Sequence, residues 1–238
     1  PDTALLRPTP HPDERGSDYH DPETAEASLR SLALIHPGIA RLVDLGDSVE
    51  GRDLIGLLLT DQPDVREVDE PSLRVLGTHH GDEWSSMEVP LALAWRLAED
   101  YAAGDPEVVE LLDRNELWIL PVVNPDGVVA FERRNAHSVD LNRNYSHEWL
   151  AQVGSGSAPF SEPETRAVRA LSLARSFSHS LTVHSGATNI GWVWNWITEP
   201  TPEDAFLAAA CEAYGDDTDQ PGFWVSQGAD WYITRGDT

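Results

Sequence analysis

Apolar positions along the chain switch repeatedly between a helical and an extended period. From Glu23 to His36 they recur at helical spacing (Ala25, Leu29, Leu32, Ile35), and Pro37-Gly38 ends the pattern, which predicts a helix. Ala40 to Val49 and Leu54 to Thr60 read as strands on either side of a hairpin-like turn at Glu50-Gly51. Leu73 to Leu76 is a short strand that delivers the chain to Gly77. Beyond it Met87, Leu91, Ala94, Trp95, Ala98 and Tyr101 fall on one helical face. Pro90 is expected in or near the first turn of that helix, because a proline further in removes a backbone hydrogen bond. Leu117 to Val123 is continuously apolar, as in a strand buried on both faces, and Asn124-Pro125-Asp126-Gly127 reads as a turn at its end. Ser161 and Glu164 have the spacing of a capping box for a helix running to about Phe177. Ser180 to His184 reads as a strand and Pro202 to Tyr214 as a helix, with strand-like aromatics following.

Strands interleaved with helices predict an α/β fold: a mixed, largely parallel central sheet with helices on both faces and functional groups at the carboxyl ends of its strands. Residues 1–20, rich in Pro, Asp and His and without periodicity, are expected to form an arm over the surface, and residues 21–238 one domain. Composition then removes several classes of function. Sixteen basic residues, all arginine, stand against 41 acidic ones for a net charge of -25, which excludes a nucleic-acid or anionic-membrane partner. No apolar run approaches the roughly 20 residues needed to span a bilayer. Cys211 is the single cysteine, so neither an internal disulfide nor a cysteine-based zinc site is available. The sequence starts at Pro1 without a methionine, leaving any signal peptide out of view; the compartment stays open, with a secreted or periplasmic setting favoured.

Three segments carry candidate chemistry. Gly77 to Trp84 (GTHHGDEW) concentrates two histidines and two carboxylates at one bend. Zinc accepts histidine nitrogen and carboxylate oxygen, and two ligand pairs three residues apart fit: His79 with Asp82, or His80 with Glu83. His184 ends a predicted strand and offers a third ligand at a strand end, the bland alternative being a core histidine. Arg133 to Tyr145 (RRNAHSVDLNRNY) packs three arginines and three asparagines around the acidic turn-former Asp140. An arginine fork matches a carboxylate bidentately, so Arg143 beside Asn142 reads as a receptor for a substrate carboxylate, while Arg133 or Arg134 would stabilise an oxyanion. His147-Glu148 opens like the helical zinc motif, but Ala151 stands where the second histidine belongs.

These motifs, in this order, resemble the zinc metallocarboxypeptidases of the carboxypeptidase A/B and D/E superfamily, the M14 peptidases. The resemblance rests on His80-Gly-Asp-Glu83, Asn124-Pro-Asp-Gly127, Arg133-x-Asn135 with Asp140-Leu-Asn-Arg-Asn144, Ser161-Glu-Pro-Glu-Thr165, His184 and Gly228-Ala-Asp-Trp-Tyr232, and runs from about Tyr19 to the last residue. His-Gly-x-Glu and Gly-Ala-Asp-Trp-Tyr are more similar to the carboxypeptidase D/E branch and bacterial relatives than to the pancreatic branch. The resemblance implies a zinc carboxypeptidase-like α/β/α fold and removal of C-terminal amino acids from peptides with a free carboxylate. It implies one zinc ion on His80, Glu83 and His184, a catalytic Arg133, and substrate binding by Asn142, Arg143 and Tyr232. His79 is then a surface group or one that supports the ligands. The family's general-base glutamate follows the tyrosine by roughly 20 residues, whereas Thr238 is six beyond Tyr232, so the domain is expected to lack its C-terminal segment unless a second polypeptide completes it. Alternative readings are a cell-wall peptidase or small-molecule amidohydrolase of the same fold, or a non-catalytic zinc- or peptide-binding pseudoenzyme. Preference among C-terminal residues is not readable, and Trp192, Trp194 and Trp196 fit a core as well as a pocket wall.

Overall fold

The computed structural model describes residues 19–218 and 220–238, so the arm expected at 1–20 lies outside the described residues except for Tyr19 and His20. Helix α1 (Pro22–Ile35) starts where the helical period starts, because Asp21 and Thr24 cap each other: each side chain accepts from the other's backbone N–H at 2.8 Å. The two extended runs that follow are β1 (Ala40–Asp47) and β2 (Asp53–Leu59), an antiparallel hairpin around Glu50-Gly51. β3 (Ser72–Leu76) leads into α2 (Ser85–Ala103), then α3 (Pro106–Leu112), β4 (Glu116–Leu120) and α4 (Pro125–Ala130). α5 (Pro163–Arg175) and β5 (His179–Thr182) precede β6 (Asn189–Trp192), α6 (Asp204–Asp216), β7 (Trp224–Gln227) and α7 (Gly228–Trp231). Five strands form one sheet in the order β1-β2-β4-β3-β5, and β6 pairs with β7 in a second, parallel ribbon. β1, β2 and β4 are joined antiparallel and β4, β3 and β5 parallel, the mixed sheet that alternating strands and helices implied.

The strand side chains sort by parity, as a pleated strand buried on both faces requires. Leu57, Leu59, Val75, Leu117 and Ile119 pack with Leu29 and Leu32 of α1 and Met87, Leu91 and Ala94 of α2. On the opposite face Leu58 and Trp118 meet Leu171 of α5, and Leu76 and Leu120 meet Val168. Burial of each such leucine or isoleucine stabilises the fold by about 1.5–3 kcal/mol, so the sheet is clamped from both sides.

Several local expectations are corrected. Pro90 is the sixth residue of α2, past its first turn. The carbonyl it leaves without a helical donor, that of Ser86, is the one against which Gly77 packs. Asn124 to Gly127 opens helix α4 instead of a simple turn: Pro125 takes the first helical position and the Asn124 side chain accepts from Gly127 N at 2.9 Å. The capping box at Ser161 does not form. Glu162 is the N-cap residue of α5, and the Ser161 hydroxyl donates to the Glu162 carboxylate at 2.6 Å. β4 stops at Leu120 before Pro121, and β5 stops at Thr182, so His184 lies two residues past its strand. Among the described residues, no helix is long and apolar enough to cross a membrane.

Parallel pairing sets Leu76 opposite both Leu120 and Thr182, so three strands release the chain at one edge of the sheet. The crowding there explains the glycines of GTHHGDEW. A Cβ on Gly77 would stand 2.3 Å from Ser86 O, and one on Gly81 would stand 2.0 Å from the carbonyl carbon of Gly127. Both separations lie far inside van der Waals contact with backbone that cannot swing away. Gly81→Ala is therefore expected to cost about 3 kcal/mol, at the upper end of overpacking penalties, in denaturant unfolding. Gly38→Ala, with nothing within 4 Å of the added carbon, is expected to shift the midpoint little; equal effects of the two would refute the close-approach argument.

Candidate metal centre

Four segments meet at this edge. The bend after β3 supplies His80 and Glu83, and the segment after β5 supplies His184. The loop after α4 supplies Arg133 and Asp140, and a 3-10 turn at Leu141–Arg143 supplies Asn142 and Arg143. Glu83 is the hub. Its Oε1 is 2.8 Å from His80 Nδ1 and accepts from Arg133 Nη1 at 3.1 Å; its Oε2 is 2.9 Å from His184 Nδ1 and accepts from Ser185 N at 3.1 Å. One donor atom from each of His80, Glu83 and His184 lies within 4.8 Å of the other two. Side-chain exposure rises from 3% at His80 through 14% at Glu83 to 31% at His184, so the cluster opens to solvent on the His184 side.

Asp140 supports the group from behind. Its Oδ1 is 3.1 Å from His80 Nε2 and accepts from Asn142 N at 3.0 Å, while Oδ2 accepts from Arg133 Nε at 3.2 Å. A carboxylate at Nε2 holds an imidazole hydrogen on that side, so Nδ1, which shares its proton with Glu83 in the metal-free chain, is the nitrogen a cation would take. The charges respond accordingly. Burial alone would raise the Glu83 carboxyl, but hydrogen bonds from His184 and His80 outweigh it and hold the group well below the usual carboxylate range. Asp140 is depressed in the same way against its burial, chiefly by His80. For His80 burial works downward, yet its bonds to Asp140 and Glu83 raise it overall.

The donor set suits a divalent cation: two imidazole nitrogens with a fixed tautomer at one of them, one carboxylate, and an open side. That is the composition of a catalytic zinc site with three protein ligands. The His79–Asp82 register is not assembled, since Asp82 is exposed and His79 points away. His79 is fully buried, correcting the surface position left open for it. Its Nε2 is 2.8 Å from Tyr145 OH, and burial followed by the charges of His184 and His80 keeps its pKa far below the ordinary imidazole value.

The remaining expected site residues divide. Arg133 reaches Glu83 and Asp140 at the mouth, whereas the Arg134 guanidinium packs on Gly154. Asn142 Nδ2 lies 3.2 Å from His184 Nε2, and Arg143 Nη1 donates to Asn142 O at 2.6 Å. Tyr232 is not in contact with the cluster; it is exposed and packs edge-on against Trp231, with ring centroids 4.6 Å apart. Of the tryptophans, Trp194 stacks on His147 at 4.8 Å and Trp192 donates to Asp204, and all three are half-buried. Sequence reasoning took Asp140 only as a turn-former and missed its contact with His80, 60 residues away, for which no local signal exists.

A family model described as zinc carboxypeptidase matches residues 25–235. Human carboxypeptidase D is 28% identical over 248 residues, 92% of this chain and 18% of that protein. The human carboxypeptidase N catalytic chain is 30% identical over 75% of this chain and 47% of its own length. The crystal structure of carboxypeptidase A from Helicoverpa armigera superposes with a TM-score of 0.79 at 24% identity, covering 92% of this chain and 60% of that one. The chain thus spans only part of the relatives that it matches.

The depressed carboxyls give a pH dependence in the metal-free chain. Glu83 and Asp140 bind protons more weakly folded than unfolded, so their stabilisation is fully present above the unfolded carboxyl range and is lost progressively as pH falls from that range toward the depressed folded values. The unfolding midpoint is expected to drop on acidification from about pH 5 toward 3, with a shallower slope in Asp140→Asn. An unchanged slope in that variant would count against the ion-pair account.

Proposed function

Because the chain belongs to the zinc carboxypeptidase family, we propose that it holds one zinc ion on His80, Glu83 and His184 and acts on the C-terminal residue of peptides. The observation that carries this reading is the convergence of three donor atoms within 4.8 Å, with Asp140 fixing the orientation of His80. Zinc bound there would supply Lewis-acid polarisation of a carbonyl and acidify a water molecule. The chain's own groups account for the rest. Arg133, whose side chain is 41% exposed beside Glu83, is given the part of stabilising charge that develops on the carbonyl oxygen of a bound peptide. Arg143 and Asn142 offer a fork and an amide to a terminal carboxylate, which an internal peptide bond does not present. Tyr232, exposed and free of the cluster, is given the part of a side chain that closes on bound substrate.

Among the described residues, the carboxylates that touch the cluster are Glu83 and Asp140, and both are committed to it. A carboxylate free to take the proton of an attacking water is not among them, and such a base contributes about 10²- to 10⁴-fold. Binding is therefore the direct readout of this proposal. The purified chain is expected to take up one equivalent of zinc by elemental analysis, His184→Ala to lose it, and His79→Asn to keep it. Stoichiometric metal in His184→Ala would sink the assignment.

Arg143→Ala in the zinc-loaded chain is expected to weaken binding of a free-acid peptide by about 2 kcal/mol, the low end for a charged hydrogen-bonded pair, and binding of its C-terminal amide much less. Calorimetry on the two peptides measures the difference. Equal losses would make the residue structural.

A further inference from the structure

The loop that carries Arg133 and Asp140 has no regular secondary structure, yet it places Asp140 on the buried His80 imidazole and Arg133 on Glu83. Its shape is set from within by one side chain. Asn135 Oδ1 accepts from His137 N at 3.1 Å and Val139 N at 3.0 Å, closing the turn. Its Nδ2 donates to Glu162 Oε2 at 2.9 Å and Glu164 Oε2 at 3.2 Å. Both acceptor positions and both donor hydrogens of the amide are thereby used, the most an asparagine can do. The backbone repeats the closure, with Asn135 N donating to Val139 O at 2.9 Å and Ser138 N to Asn135 O at 2.8 Å. Asn135, Glu162 and Glu164 are all buried, so these bonds face no competition from water.

The loop is held at its ends as well. Arg133 O accepts from Gly81 N and from Asn124 Nδ2, both at 3.3 Å, and Asp140 N donates to Gly154 O at 2.8 Å. Those bonds fix where the loop leaves and rejoins the sheet edge. Asn135 and His137, whose Nδ1 is 2.8 Å from Glu162 Oε2, both tie its middle to the start of α5, but the His137 side chain is 60% exposed, whereas the buried Asn135 also closes the turn and so sets the separation between residue 133 and residue 140. Asp140 must meet His80 Nε2 while Arg133 meets Glu83 Oε1, and a loop free to shift by an ångström would lose one contact or the other.

We propose that Asn135 is a positioning residue for the metal centre: by pinning the loop to Glu162 and Glu164 it holds Asp140 on His80. This rests on the reading of His80, Glu83 and His184 as the zinc ligands. It goes beyond that reading in giving a side chain outside the cluster control over metal affinity through the orientation of a ligand.

The test is a double-mutant cycle in the whole chain, read as zinc affinity by competition with a chromophoric chelator and as the visible spectrum of the cobalt-substituted protein. Loss of a carboxylate partner of a ligating histidine lowers metal affinity about 10- to 100-fold, and Asp140→Asn is expected to fall in that range. Asn135→Ala is expected to lower affinity about tenfold and to alter the cobalt spectrum, and in the Asp140→Asn background to add almost nothing, because the route through Asp140 is already cut. A merely structural role predicts losses that multiply, or affinity unchanged once the folded fraction is accounted for, and either result overturns the proposal. If Asn135→Ala does not fold, Glu162→Ala removes one of the two anchors and leaves the other. It is then expected to lose severalfold in affinity alone and nothing further with Asp140→Asn, and multiplicative or absent losses again refute the idea. Failure of the parent chain to bind zinc would defeat the metal assignment itself. Zinc binding that depends on His184 but not on Asn135 would defeat only this inference.

Discussion

Glu83 is a carboxylate taken largely out of water, and such a group keeps its charge only if donors meet its oxygens. Here the donors are His80, Arg133, His184 and the Ser185 amide, drawn from the bend after β3, the loop after α4 and the segment after β5. That demand couples parts of the chain up to 102 residues apart. It also explains why the bend is so tight: Glu83 reaches the others only because Gly77 and Gly81 let the backbone run against the Ser86 carbonyl and the Gly127 peptide. Histidines sharing their nitrogens with one carboxylate form a site where a divalent cation can replace shared protons, so the packing requirement and the metal reading have one physical origin.

The elements defined by period were legible in the sequence, and those defined by tertiary contact were not. α1, the hairpin, β3 and α2 follow their apolar spacing closely because each buries one continuous face. Pro90 lies past the first turn of α2, and the backbone of Gly77 packs beside the Ser86 carbonyl that the proline leaves without a helical donor. α4 looked like a turn because Asn, Pro, Asp and Gly are the residues of both turns and helix starts, and only the Asn124 cap decides between them. α3 was missed although Asp105-Pro106 carried the signal; the Asp105 side chain accepts from Glu107 N and Val108 N.

The site divides in the same manner. A histidine and a glutamate three residues apart announce a ligand pair, but adjacent histidines give two registers. Spacing cannot say which ring turns inward to Tyr145 and which toward Glu83. His184 was visible as a strand-end histidine even though its strand ends two residues earlier. Asp140 and Asn135 were quoted within a motif and given no contact role beyond the turn, since their partners lie 60 and 27 residues away and no periodicity links them. The overall acidity of -25 did not predict the local charge either: Arg133 lies against Glu83 and Asp140, and Arg143 also acts on Asp140.

X-ray absorption at the zinc edge of the metal-loaded chain tests the central claim most directly, because it counts ligands by type. The account predicts a shell of nitrogen and oxygen with outer scattering from two imidazoles and no sulfur, and one imidazole fewer in any metal retained by His184→Ala. A shell with a single imidazole, with a third from His79, or with sulfur from Cys211 would contradict it.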